Sequence, residues 1–276
     1  MNGLDPWIPR DKIETDTVPI LPASTMILID DRPDLQVLML LRNNSSGFVA
    51  DHTIFPGGAI EEDDKNHIWD DLVVGLTKEE AKTQLRTDDA RSFWIAAIRE
   101  TIEEVGVLVG THEIELLEDR ELIEGGSENF SDVISQREIS LDLSDIEPIS
   151  RWVTPMGGTR RYDTYFFVAQ PFTSVTPQVD GKEAVEAFWI APSEALKKWE
   201  LGEMTMISPT LATLRQLESY ENSDEVFTAL DSKLFPENIR IVDESKALPL
   251  FPNDDNYEAS YTWPALGWTW LPKRGQ

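Results

Sequence analysis

Arg99-Glu100-Thr101-Ile102-Glu103-Glu104-Val105-Gly106-Val107 is the stretch of this sequence with the densest capacity for chemistry. On a helix Glu100 and Glu104 are i,i+4 neighbours, and Glu100 and Glu103 are i,i+3 neighbours, so three carboxylates converge on one sector. Bare carboxylates at that spacing repel one another, and something positive should sit between them. Clustered hard oxygen donors suit magnesium, manganese or calcium rather than zinc. Magnesium in particular keeps its waters and bridges protein carboxylates to substrate phosphates. Arg99 can pair with one of the glutamates and fix its rotamer. Taken alone, the run reads better as a solvated acidic face tied by one arginine.

The neighbouring residues change that balance. Asp88–Val105 contains no Pro or Gly and predicts a helix, with Thr87 as a cap, Asp88 and Asp89 at the positive end of the dipole, and Gly106 as the stop. Ile95, Ile98, Ile102 and Val105 give that helix an apolar face, so it docks on a core. Upstream, Phe55-Pro56-Gly57-Gly58-Ala59-Ile60-Glu61 is a rigid turn with a double glycine, whose N–H groups can approach an anion or a metal-bound water closely. Strands are predicted at Thr25–Ile29 and Gln36–Leu41, joined by the turn residues 30–34, then at His52–Phe55, Arg161–Val168 and Ala184–Ile190. Helices are predicted near Thr77–Leu85, Ser127–Ile139, Ser193–Trp199 and Pro209–Tyr220. Beyond about residue 222 the pattern weakens. The tail from Leu248 to Pro272 concentrates Tyr257, Tyr261, Trp263, Trp268 and Trp270, aromatics that are rarely left in water. It is expected to pack on its own domain or against a homodimer partner.

Composition narrows the partners. The 276 residues hold 24 Lys+Arg against 51 Asp+Glu, a formal net charge of −27. Such a surface repels nucleic acid and anionic membrane, and a phosphate-bearing small molecule needs local cations to bind. Bound divalent metal and a few placed arginines would supply them. Arg42 ends a strand near the double glycine. Arg160 and Arg161 open another, where alternation turns at most one of them toward a site. The absence of cysteine removes disulfides, thiolate metal sites and a Cys nucleophile. His52, His67 and His112 have no metal-ligand spacing, and no Ser-His-Asp pattern is present. No apolar run approaches a membrane span, the first residues lack a signal core, and Arg274-Gly275-Gln276 is not the peroxisomal address. A soluble cytoplasmic protein is the default expectation.

Together the double glycine and the acidic helix resemble the Nudix family. Its box reads Gly, five residues, Glu, seven residues, Arg-Glu-apolar-X-Glu-Glu-X-Gly-apolar. Gly58 matches the first glycine, and Arg99, Glu100, Glu103, Glu104, Gly106 and Val107 match the second half, with Thr101 at an apolar position. The first half departs: Asp64 stands at the glutamate position, and Arg99 lies 35 positions beyond it instead of 8, an insertion of 27 residues. A box split in this way resembles the subgroup around the mammalian peroxisomal acyl-CoA diphosphatase. Val37–Arg42, Gly47-Phe48, Trp152–Pro155, Arg160–Phe167 and Phe188–Ala195 are similar to its corresponding stretches.

The resemblance implies an α/β fold: a Nudix α/β/α sandwich with a mixed sheet, a helical insertion in the box and a C-terminal extension. A Nudix domain would span residues 1–222, with the insertion at about 65–87, and the extension would be 223–276. Within the insertion Ile68, Trp69, Leu72, Val73, Leu76 and Leu85 suit short helices folded as a flap beside the substrate cleft. The implied activity is hydrolysis of a diphosphate bond in a nucleotide-type substrate with Mg2+ (or Mn2+), CoA or acyl-CoA leading. An ADP-ribose or NADH diphosphatase and a non-catalytic nucleotide sensor are the alternatives. Metal ligands would be Glu100, Glu104 and Glu103. Glu183 and Glu103 are the candidate catalytic groups, with Glu186 the weaker alternative to Glu183, since alternation turns it away if Val185 faces the core. Arg42, Gly57, Gly58, Arg160 and Arg161 would hold substrate.

Overall fold

The chain runs from a long first strand, β1 (Ile20–Asp31), through β2 (Leu35–Arg42), β3 (Thr53–Ile54) and β4 (Gly57–Ala59). The segment that follows holds α1 (Trp69–Leu72), β5 (Val73–Val74) and α2 (Lys78–Leu85), and leads to α3 (Arg91–Val105). Then come α4 (Arg120–Glu124), α5 (Phe130–Gln136), β6 (Leu141–Asp142), β7 (Glu147–Val153), β8 (Arg161–Ala169) and β9 (Ala184–Ile190). The chain finishes with α6 (Pro192–Glu200), α7 (Ser208–Leu217), α8 (Ser223–Asp231), β10 (Glu237–Ile241), β11 (Pro249–Leu250) and β12 (Leu266–Thr269). This computed structural model describes residues 6–15, 17–43, 51–113, 118–172, 176–179, 184–231, 236–241, 248–252, 254–255, 257 and 266–274.

One mixed sheet organises these elements, in the order β11-β10-β12-β7-β8-β1-β2-β3, with β4 also on β1 and β9 also on β2. β1 and β8 run parallel from Ile20↔Arg161 to Leu28↔Ala169, and the other pairings of this sheet are antiparallel. Met26–Ile29 and Val37–Leu40 are fully buried, the near-continuous apolar run of strands covered on both faces. The side chains of β1 show which helices do the covering. Ser24 Oγ donates to Phe93 O on α3, at 2.5 Å. Asp31 accepts from Ser223 N and Oγ at the start of α8. Ser24 and Asp31 are seven positions apart along the strand, an odd offset, so α3 and α8 lie on opposite faces. The fold is therefore an α/β/α sandwich.

The helix expected over 88–105 begins later, at Arg91, with Ala90 at its cap position and no side-chain cap. Thr87 does not cap it. The chain is still turning there: Arg86 ends α2 in the left-handed region, and Lys82 pairs with Asp88 at 2.6 Å. The capping box belongs to α2 instead, formed by Thr77 and Glu80. From Arg91 onward the apolar stripe behaves as its spacing requires, with Ile95, Ile98, Ile102 and Val105 all at most 1% exposed.

Residues 65–87 are folded onto the domain. Trp69 is 1% exposed, its ring lies 5.3 Å from Phe130, and its indole N–H donates to Asp63 O. Asp63 in turn accepts from Ser131 N and Oγ on α5. At the far end Tyr165 Oη donates to Leu85 O, and the Arg86 guanidinium sits over the Trp7 ring. The C-terminal strands extend the chain's own sheet, β12 pairing with β7 from Leu266↔Val153 to Thr269↔Ser150. Trp268 and Trp270 are buried there, and Trp270 packs 5.5 Å from Trp7. Tyr261 and Trp263 lie outside the described residues, as do Gly47 and Phe48. No helix among the described residues is long and apolar enough to cross a membrane.

Trp69→Ala should therefore destabilise the whole domain by about 3–5 kcal/mol, the usual cost of deleting a buried indole. Urea unfolding checks this. A variant with an unshifted midpoint would mean that the segment contributes nothing to the cooperative fold.

Candidate active site

Two elements meet to form the site. β4 lies on β1 with Thr25↔Gly57, Ser24↔Gly58 and Ala23↔Ala59, and Ser24 points toward α3. The third turn of α3 therefore crosses directly over the double glycine. Gly57 N donates to Glu104 Oε2 at 2.9 Å. A Cβ at Gly58 would lie 2.3 Å from Glu100 Oε1, and one at Gly57 would lie 2.4 Å from Ser24 O. A side chain at Gly58 would push the Glu100 carboxylate away, and one at Gly57 would push β4 off β1, so both positions call for glycine.

Arg99 binds the acids into one cluster. Its Nε donates to Asp64 Oδ1 at 3.1 Å and its Nη2 to Asp64 Oδ2 at 3.0 Å, a bidentate fork. Nη2 also reaches Ala59 O, while Nη1 donates to Glu100 Oε1 at 3.0 Å and to Glu103 Oε2 at 2.9 Å. Glu61 approaches at 3.9 Å. Asp64 is 1% exposed and also accepts from Glu61 N. The acidic run 61–64 thus contributes a buried member. Asp64 was found by counting along the box, but its pairing with Arg99 was not legible across the insertion. The out-of-pattern Thr101 is fully buried, and its hydroxyl donates to Ile98 O one turn back, so it sits in the core at little cost.

The electrostatics follow from burial. Removal from water pushes Glu100 up to about 7, with Arg99 opposing and Glu103 and Asp64 reinforcing the rise. Burial likewise raises Glu103 and Asp64 in spite of their bonds to Arg99. Burial works against the charge on Arg99, but Glu100, Asp64 and Glu103 outweigh it and hold the guanidinium above its usual range. One guanidinium cannot neutralise Asp64, Glu100, Glu103 and Glu104 together, so the cluster keeps a surplus of negative charge in a poorly hydrated place.

That surplus, on carboxylate oxygens alone, fits a hard divalent cation. Among the described residues no group of three or more His, Asp or Glu side chains is disposed to hold a metal ion. Few protein ligands with the rest from water and substrate is the regime of magnesium. Glu104 is anchored by the Gly57 N–H, and Glu100 lies against Gly58. Glu103 stands beside them with its carboxylate on Arg99.

The remaining candidates divide. Arg42, half-buried, ends β2 opposite Ala184, with its N–H donating to His52 O. Arg160 is exposed. Arg161 is corrected: it is 1% exposed, and its guanidinium donates to the main-chain carbonyls of Thr154 and Glu14. It fastens the N-terminal segment and is not available to phosphate. The reason for setting Glu186 aside also fails, because Val185 is 49% exposed and faces away from the core; Glu186 itself is exposed opposite Leu41. Glu183 lies outside the described residues.

A carboxylate-bearing helix laid across a double-glycine strand, in a mixed sheet covered on both faces, defines the Nudix class of fold and site. Residues 17–217 match the NUDT19 Nudix domain family, and the chain belongs to that family. Among curated relatives, the acyl-coenzyme A diphosphatase NUDT19 of Xenopus laevis is 26% identical over 67% of this chain and 60% of its own length. That of Gallus gallus is 25% identical over 70% and 64%. The chain thus spans about three-fifths of the length of these relatives. The putative nudix hydrolase 7 of Caenorhabditis elegans is 25% identical over 85% of this chain and 74% of its own. Among solved structures, a NUDIX hydrolase from Alicyclobacillus acidocaldarius superposes with a TM-score of 0.66 at 27% identity, covering 77% of this chain and 97% of that one.

Two substitutions test the geometry. Gly58→Ala should displace Glu100 and weaken Mn2+ binding, read by isothermal titration, while the fold survives by circular dichroism; wild-type affinity would show that Glu100 is not where the site needs it. Asp64→Asn removes the charged half of the fork and should lower stability by on the order of 2 kcal/mol, the scale of a charge-assisted bond.

Proposed function

We propose that this protein hydrolyses a diphosphate bond in a nucleotide-type substrate, with Mg2+ (Mn2+ as substitute) held by Glu100 and Glu104, and with CoA or acyl-CoA as the leading substrate. The carrying observation is the Arg99-centred cluster pressed against Gly57 and Gly58, a buried excess of carboxylate aimed at one place. The choice of CoA rests on the relatives named acyl-coenzyme A diphosphatase and on the resemblance of the split box to that subgroup.

Glu104 takes the Gly57 N–H, which fixes one of its carboxylate oxygens. Glu100 is fixed between Gly58 and Arg99. When bound, the metal would lower the pKa of an attacking water and offset charge developing on the diphosphate. Arg99 holds Glu103 beside Glu100, and Glu103 is proposed as the base that would take the proton of the attacking water. Glu183, close before β9 in sequence, is the other proposed base. Arg42 and the exposed Arg160 are the proposed phosphate contacts, cations that a chain of charge −27 must place locally.

The test is incubation with Mg2+ and CoA, acyl-CoA, ADP-ribose, NADH or dinucleoside polyphosphates, with products identified by mass. Phosphopantetheine-type product and adenosine 3′,5′-bisphosphate are expected from CoA. Glu104→Gln should remove most turnover, and Arg42→Ala should raise KM roughly tenfold with a smaller change in kcat, as for a lost contact to bound phosphate. Cleavage of ADP-ribose or NADH but of no CoA species would reject the CoA assignment and keep the diphosphatase. Binding of nucleotides without cleavage of any would favour a sensor.

A further inference from the structure

The last turn of α3 carries Glu103 and Glu104, and it is held from outside the helix. Within the chain's local path, Gly106 N returns to Ile102 O at 3.0 Å and Val107 N to Thr101 O at 3.1 Å. The carbonyls of Glu103 and Val105 have no partner further along the helix and are met by distant segments. Arg120, on α4, donates Nε and Nη2 to Glu103 O at 3.2 and 2.8 Å. Gln178 N donates to Val105 O at 2.8 Å. Arg120 closes the ring by donating Nη1 to Gln178 O at 2.5 Å. One guanidinium thus joins the end of the acidic helix, α4 and the segment 176–179. Gly106 makes room for it: its φ is +61, and a Cβ there would lie 3.0 Å from Arg120 Nη1.

We propose that Arg120 is a positioning residue for the metal ligands, acting through the backbone of Glu103 and not through substrate. The proposal rests on the proposed reading of Glu100 and Glu104 as metal ligands, with Glu103 beside them on the same helix. Three physical reasons support it. A cation at a helix C-terminus is favoured by the dipole. A forked donor on one carbonyl limits fraying of the final turn, where helices otherwise loosen. The neighbouring glutamate side chains carry a repulsion that would itself drive that turn apart. Without Arg120, Glu104 would keep its bond to Gly57 N only at the cost of a looser helix end.

The experiment uses the full chain and Mn2+ as the probe, with affinity measured by isothermal titration and electron paramagnetic resonance. Arg120→Ala should weaken Mn2+ binding roughly tenfold, the lower end of the effect of removing a group that orients metal ligands. Arg120→Lys keeps the charge but not the fork, and should lie between. Arg215→Ala serves as the stability control, since Arg215 bonds Pro249 O and Asp254 at the other end of the sheet. It should lower the melting temperature without changing Mn2+ affinity. Amide exchange at Gly106 and Val107 should quicken in Arg120→Ala alone. Wild-type Mn2+ affinity in Arg120→Ala overturns the positioning role while leaving the metal site standing. Failure of the wild-type chain to bind Mn2+ overturns the metal reading, and the positioning role with it.

Discussion

The site depends on a single guanidinium. Arg99 is nearly buried and touches Asp64, Glu100, Glu103 and the carbonyl of Ala59. Burying a charge is expensive unless every donor finds an acceptor, and here the acceptors are the acids that must be held near one another. Each side of the arrangement makes the other tolerable. The carboxylates compensate the arginine, and the arginine spaces carboxylates that would otherwise repel. A surplus of negative charge remains, which the proposed function would give to a divalent cation.

The glycines set how close helix and strand can come. In a sheet–helix packing the layers are usually kept apart by side chains on both surfaces. At Gly57 and Gly58 the strand offers none, so the carboxyl groups of Glu104 and Glu100 reach the backbone itself. The main-chain N–H of Gly57 is thereby used as a fixed donor to the Glu104 carboxylate. The opposite end of the same helix segment is fixed by Arg120 and Gln178, so the two turns carrying the acids are restrained on the strand side and at the terminus.

The inserted segment has to leave after Asp64 and return before Arg99 without disturbing a bond only about 3 Å long. It does so by being anchored near both ends. Asp63, the residue before Asp64, binds Ser131, and Leu85 receives the Tyr165 hydroxyl from β8. Trp69 fills the space against Phe130 between these anchors. Chain length between two bonded residues adds closure entropy only slowly, so a long excursion is tolerable once its ends are packed. The N-terminal Trp7 and the C-terminal Trp270 meet near the same corner, joining both ends of the described chain to the sheet.

Much of this was legible in the linear order of residues. The spacing of Glu100, Glu103 and Glu104, the apolar stripe Ile95-Ile98-Ile102-Val105, the stop at Gly106 and the strands flanking them follow from local periodicity and glycine chemistry, which short windows of sequence carry. The α/β class followed from those elements together with the resemblance of the box. What sequence could not decide were relations between distant segments. That Asp64 and not another acid of the 61–64 run is buried depends on where Arg99 arrives from 35 residues away. That Arg161 serves the N-terminal segment depends on Thr154 and Glu14 coming beside it. That Arg120 meets the carbonyl of Glu103 depends on α4 folding back over the helix end. In each case the side chain's type announces only a charge seeking a partner, and in a chain with 51 acidic residues the partner is chosen by tertiary packing, which alone decides which acceptors are buried with it.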